Sequence, residues 1–265
     1  MRRITLFTLV ALLALGTGCG TSEKESAKGG RATGKAKATK KRPGERLREA
    51  VARTRRTSVR VEETITVRRG TEESILTIKG PFDFARDRGE LSVALPGDGR
   101  LKEIFDGGEV FLSPVKGLPR ATWGAVERDR AEKHAPIRAP LNDPEYVLEQ
   151  ISQLHKVRYY GSAGTRAAYE YTGWLDFDTY LHRLDPKSDT MIKKPGPDGS
   201  ERFVQARVLV DRDGLLSRID ISALEMDLEI SLAIDFSSHG TPVTVTPPKT
   251  TAALSPRTYT GPLQG

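Results

Sequence analysis

The sequence predicts an α+β fold: a large antiparallel sheet, wet on one face and apolar on the other, covered by short helices. Three observations carry this. In DLEISLAIDF, Leu228, Ile230, Leu232, Ile234 and Phe236 alternate without error with Asp227, Glu229, Ser231, Ala233 and Asp235. In SVRVEETITV, Val59, Val61, Ile65 and Val67 alternate with Arg60, Glu62, Thr64 and Thr66, and Glu63 is the one polar residue in the apolar phase. Sustained period-two alternation marks antiparallel strands with one buried face. Helical spacing, by contrast, is confined to short stretches.

Taken in order, the chain opens with Met1-Arg2-Arg3 and the apolar run Ile4 to Leu15. That run suits a secretory leader and is too short to cross about 30 Å of hydrocarbon. Small residues then lead to Cys19, the only cysteine of the chain. Leu15-Gly16-Thr17-Gly18-Cys19 resembles a bacterial lipobox, although Gly16 replaces the more usual branched residue. The resemblance implies that residues 1–18 are a lipoprotein signal peptide cut between Gly18 and Cys19. It also implies a thioether-linked diacylglycerol on Cys19 and an acyl chain such as palmitate on the new amino terminus. Two or three buried chains, at about 0.8 kcal/mol per CH₂, make a firm anchor. The folded body is left without cysteine, and so without a disulfide, a Cys-based zinc site or a Cys nucleophile.

Residues 19–44 read as the lipidated cysteine and a flexible basic tether with a reach of roughly 25–30 Å. Eight basic residues face two acids between Gly20 and Gly44, and two more arginines sit in the leader. The net charge of +7 therefore belongs to the amino-terminal segments, and the body from Glu45 is close to neutral. A nucleic-acid-binding body is not indicated by that distribution. The tether lysines serve either as contacts to anionic lipid headgroups or cell-wall polyanions, or as a soluble spacer.

The domain proper is expected over residues 45–240. GERLREAVARTR has the spacing of a short amphipathic helix, and the strand SVRVEETITV follows. Ser74 to Lys79, Phe82 to Phe84 and Arg88 to Ala94 read as strands separated by breaks, one of them Gly80-Pro81. Leu101 to Phe105 and Glu109 to Leu112 flank Asp106-Gly107-Gly108, a hairpin signal. Residues 113–140, with four prolines, read as an irregular excursion partly packed on the sheet. Asp143-Pro144 starts a helix as N-cap and first residue, with Tyr146, Val147, Ile151 and Leu154 inward. Arg166 to Trp174 reads as a strand, Asp176 to Leu184 as a short helix, and residues 185–200 as a long loop. Phe203 to Val210 and Ser217 to Leu224 flank the turn Asp211-Arg212-Asp213-Gly214, ahead of the strand that ends at Phe236. Residues 241–265 are proline-rich and read as a loose tail.

Motifs for chemistry are absent from the sequence. The four histidines are scattered without His-x-His or HExxH spacing, so no metal site is expected. There is no G-x-S-x-G elbow, P-loop or dinucleotide fingerprint. Asp211-Arg212-Asp213-Gly214 begins like a calcium loop but lacks the remaining ligands, which leaves the hairpin reading. No enzyme and no cofactor beyond the diacylglycerol are expected.

Several stretches resemble the actinobacterial LolA-like lipoproteins, the LppX/LprG group among them. These are Ile104-Phe105-Asp106-Gly107, Asp143 to Leu148, Val157 to Gly161 running into Ala168 to Asp176, and Val208 to Arg218. The resemblance covers most of Arg46 to Phe236. It implies a curved antiparallel half-barrel with short helices across the concave face, around a cavity for acyl chains or a lipidated partner. Residues 116–139, 185–200 and the tail depart from the usual lengths. The expectation is a membrane-anchored extracytoplasmic lipoprotein, monomeric, that binds or shuttles lipids or lipoproteins. The candidate cavity lining is Val59, Val61, Ile65, Val67, Leu228, Ile230, Leu232, Ile234 and Phe236. Two alternatives stay open: the same stripes form a filled core, or the domain is a protein–protein sensing or scaffolding module at the membrane surface.

Overall fold

The computed structural model describes residues 41–128, 142–161, 169–176, 203–225 and 228–254. Among the described residues, two α-helices, α1 (Pro43–Thr54) and α2 (Pro144–Ser152), accompany twelve strands. The first six are β1 (Ser58–Arg69), β2 (Glu72–Asp83), β3 (Arg88–Ala94), β4 (Arg100–Asp106), β5 (Glu109–Ser113) and β6 (Trp123–Glu127). The others are β7 (His155–Gly161), β8 (Tyr169–Asp176), β9 (Phe203–Val210), β10 (Leu216–Glu225), β11 (Leu228–Ser237) and β12 (Thr251–Ala253). All join one open sheet in the order β12-β6-β5-β4-β3-β2-β1-β11-β10-β9-β8-β7. The expected α+β half-barrel is therefore the observed architecture, with the early and late hairpins meeting where β1 pairs β11.

The pairing is antiparallel everywhere except between β12 and β6, which run parallel. Strand β12 lies inside the stretch that the sequence reads as a loose tail. Its backbone is tied in by Trp123 N–H to the Thr250 carbonyl and Leu254 N–H to the Ala125 carbonyl, at 3.1 and 2.8 Å. Leu254 packs so close over Gly124 that a Cβ there would stand 2.5 Å from it. Strand β6 lies within the expected irregular excursion. The supposed break at Gly80-Pro81 is not a break, because both residues stay paired to β1, opposite Val61 and Arg60. Pro81 has no N–H to offer, and Gly80 approaches β3 so closely that a Cβ would lie 2.0 Å from the Glu90 carbonyl oxygen.

The two sheet faces differ as the alternation requires. Outward residues form cross-strand ion pairs in register: Glu62 with Lys79, Arg68 with Glu73 and Glu229, Arg88 with Asp106, and Arg218 with Asp235. As exposed pairs they add little to stability, and together they keep that face wet. Inward residues merge into one apolar cluster with the buried sides of both helices, Leu47, Ala50 and Val51 on α1 and Val147, Leu148 and Ile151 on α2. In α2, Leu148 is buried and Tyr146 only half-buried, which shifts the inward stripe slightly from the expected one. The helix expected over Asp176 to Leu184 lies, apart from Asp176 at the end of β8, outside the described residues, as does the loop 185–200.

Candidate functional site

The expected lining residues do come together, at the centre of the sheet. Val61 stands opposite Phe236, Ile65 opposite Leu232, Val67 opposite Ile230, and Arg69 opposite Leu228. Period-two geometry in two adjacent strands puts these on one face whenever the register is even, and here it is. Val59, Val61, Ile65, Ile230, Leu232, Ile234 and Phe236 are each no more than 5 % exposed, and Val67 is half-buried. Aromatic rings close over one end of this stripe: Phe236 meets Phe84 at 6.0 Å between centroids, Phe84 meets Phe82 at 5.0 Å, and Phe82 meets Phe105 at 5.6 Å. Gly18 and Cys19 lie outside the described residues.

Two carboxylates share this apolar face. Glu63 is the one anticipated from the alternation, and it is buried at 1 % exposure. Glu103, in the inward phase of Leu101, Glu103 and Phe105, is fully buried. Asn142 donates its side-chain amide to it. Burial pushes the Glu103 carboxyl up to about 7; the Asn142 donor opposes this, and the negative charge of Asp143 reinforces it.

The helical cover is fastened by polar contacts at its margins. Asp143, 2 % exposed in its side chain, caps α2 by accepting from the Glu145 N–H at 3.0 Å. The same carboxylate receives a two-pronged bond from Arg128, Nε at 2.7 Å and Nη2 at 2.6 Å. Arg128 also donates Nη1 to Asp87 at 2.6 Å and lies over the Phe105 ring. Burial works against the Arg128 charge, but Asp143 and Asp87 outweigh it, so its pKa is raised. A second link runs between the helices, where Arg55 at the end of α1 pairs with Glu145 and Glu149 of α2, each at 2.8 Å. Burial pushes Glu145 up to about 7, against the pull of Arg55. At the other side of α1, the Thr54 hydroxyl donates to the Ala50 carbonyl and accepts from the Leu216 N–H at 2.9 Å.

Sequence reading missed this clamp. Glu103 was legible as a charge in an apolar phase, but nothing local points from it to Asn142, or from Arg128 to Asp143. Among the described residues there is no group of three or more His, Cys, Asp or Glu able to hold a metal, and no helix long and apolar enough to cross a membrane.

No family model and no curated protein matches the sequence. Among solved structures, the chain is similar to the Mycobacterium tuberculosis lipoprotein LppX, with a TM-score of 0.46 and 13% identity, covering 77% of this chain and 98% of that one. It is also similar to a chain of the Pseudomonas aeruginosa MucA/MucB complex, at TM-score 0.37 and 13% identity over 76% and 58%. A third is a LolA superfamily protein of Nitrosomonas europaea, at TM-score 0.35 and 10% identity over 76% and 93%. All three scores lie below 0.5, so the case for function rests on the chain's own sheet, helices and leader.

Proposed function

We propose that this protein is an extracytoplasmic lipoprotein, held to the membrane through diacylglycerol on Cys19, whose half-barrel takes up acyl chains between its apolar face and its helical cover. The observation that carries this is one continuous apolar face under a helical cover fastened by side chains. A single open sheet of twelve strands presents one continuous apolar face, and among the described residues only two short helices lie on it. These helices are held at their ends by Arg128, Asp143 and Arg55, side-chain contacts that lie outside the backbone pairing of the sheet. Sliding an acyl chain under the cover exchanges one apolar contact for another. At about 25 cal/mol per Å² of buried surface, it offsets the cost of leaving the bilayer.

A second reading is a protein–protein module of the same fold. The low exposure of the central stripe favours it, since a sealed core needs no ligand. A polar intrusion separates the two readings. Leu232→Asp or Ile230→Asp, incubated with diacyl phospholipid vesicles and repurified, is expected to lose the lipid that the unaltered protein retains, as measured by mass spectrometry of the organic extract. A folded variant that captures lipid as well as the unaltered protein overturns the carrier reading.

A further inference from the structure

The amino-terminal end of α1 and the edge strand β7 enclose a cleft of about 790 Å³ at the margin of the apolar cluster. Its lining includes Lys41, Arg42, Arg46, Arg158, Tyr159 and Tyr160, and no carboxylate. Of the four cations, Lys41 is paired with Glu49, yet keeps 58% of its side chain exposed. The first turn of α1 is largely satisfied by its own chain, with the Glu45 and Arg46 N–H groups donating to the Arg42 carbonyl, so the positive character of the cleft comes from its side chains. The cleft thus favours anions through its four cationic side chains.

Its other feature is aromatic. Tyr160 is 60% exposed and Tyr159 42% exposed. The Tyr159 ring is held against Tyr171 and Tyr169, at 5.5 and 6.1 Å between centroids, which makes it a rigid platform on the outermost strand. Tyrosine suits a boundary between water and hydrocarbon, with an apolar ring and a wet hydroxyl. Cations beside exposed tyrosines fit a bilayer surface better than a soluble polyanion, which has no apolar layer to meet the rings.

Position completes the argument. Lys41 and Arg42 continue the basic sequence that follows Cys19, about 20 residues along the chain. An anchor on Cys19 would hold the cleft at high effective concentration above the headgroups. We propose that this cleft is a membrane seat: it binds the phosphates of anionic lipid headgroups, with Tyr159 and Tyr160 entering the interface, and so sets which side of the body faces the bilayer. The seat lies at the margin of the apolar face, where Val157 of its lining packs against the cluster, and it is tested by vesicle binding, a different readout from lipid capture.

The test uses the mature chain from position 19 carrying Cys19→Ser, so that no diacylglycerol contributes. Its co-sedimentation is compared on vesicles of phosphatidylcholine with phosphatidylglycerol and on phosphatidylcholine alone. Arg42 and Arg158 are exposed, so the fold tolerates Arg42→Gln/Arg158→Gln. Each basic residue near an anionic surface is worth about 1 kcal/mol, or about fivefold, so this pair is expected to bind the anionic vesicles about 25-fold more weakly. Arg86→Gln/Arg100→Gln removes the same charge on the far half of the sheet and is expected to change binding less than twofold. Tyr160→Ser is expected to weaken anionic-vesicle binding severalfold. Equal losses for the two double variants would mean a diffuse charge effect and overturn the seat. Displacement of the protein by inorganic phosphate, with Tyr160→Ser indistinguishable from the unaltered chain, would make the cleft a free-phosphate site and overturn it equally.

Discussion

Glu103 is the residue at which the fold departs furthest from ordinary solution chemistry. Its carboxyl is raised to about 7 in the folded protein, above the usual carboxylate value near 4.5. Between those values the folded state holds a proton that the unfolded chain releases, so stability falls as pH rises through the window and levels off above about 7. Each such group contributes a slope of roughly 1.4 kcal/mol per pH unit. Glu103→Gln keeps the oxygen that accepts from Asn142 and has nothing to ionise. Urea denaturation from pH 5 to 8 is expected to show the slope reduced by one proton in this variant, and higher stability than the unaltered protein at pH 8. A variant with the same slope and lower stability at pH 8 would contradict the assignment. Period-two alternation singled out Glu63 as a polar residue in an apolar phase; Glu103 carries the same signal between Leu101 and Phe105, and the sequence reading did not take it up. Its partner, 39 residues away across a segment with no regular pattern, was not readable.

At the scale of elements, α2 is fixed by one side chain with two duties. Asp143 caps the helix and neutralises a nearly buried Arg128, itself 11% exposed. Asp143→Asn retains a capping oxygen and removes the charge, stranding Arg128 with Asp87 alone; it is expected to cost about 3 kcal/mol in urea denaturation. Asp143→Ala loses the cap as well, worth about 1 kcal/mol more. Arg55→Gln breaks links between groups that are 30–48% exposed and is expected to cost less than about 1 kcal/mol. An Asp143→Asn variant as stable as Arg55→Gln would show that the clamp does not hold the helix. Both helix starts, the β4–β5 and β9–β10 hairpins and the two long alternating strands were legible, because each is encoded by periodicity or a turn within a dozen residues. β6 and β12 were not. Trp123-Gly124-Ala125 and Thr251-Ala252-Ala253 carry little strand propensity, and pairing with each other and with β5 places them.

For the whole molecule, the central apolar stripe was readable as two alternating strands, whereas their pairing, its register and the state of that face were not. Whether inward side chains meet a lipid or each other depends on how helices from distant segments settle over them, and period-two patterning carries no information about that. The leader makes an independent claim: mass spectrometry of the mature amino terminus is expected to find a diacylglyceryl thioether on Cys19, and an unmodified chain would remove the anchor from this account. The central claim, that acyl chains lodge between sheet and cover, is tested most directly by native mass spectrometry of the protein purified gently from its own envelope. The account predicts a discrete added mass that organic solvent releases as lipid. A protein that is bare, and stays bare after incubation with envelope lipids, would contradict it and leave the sealed scaffold.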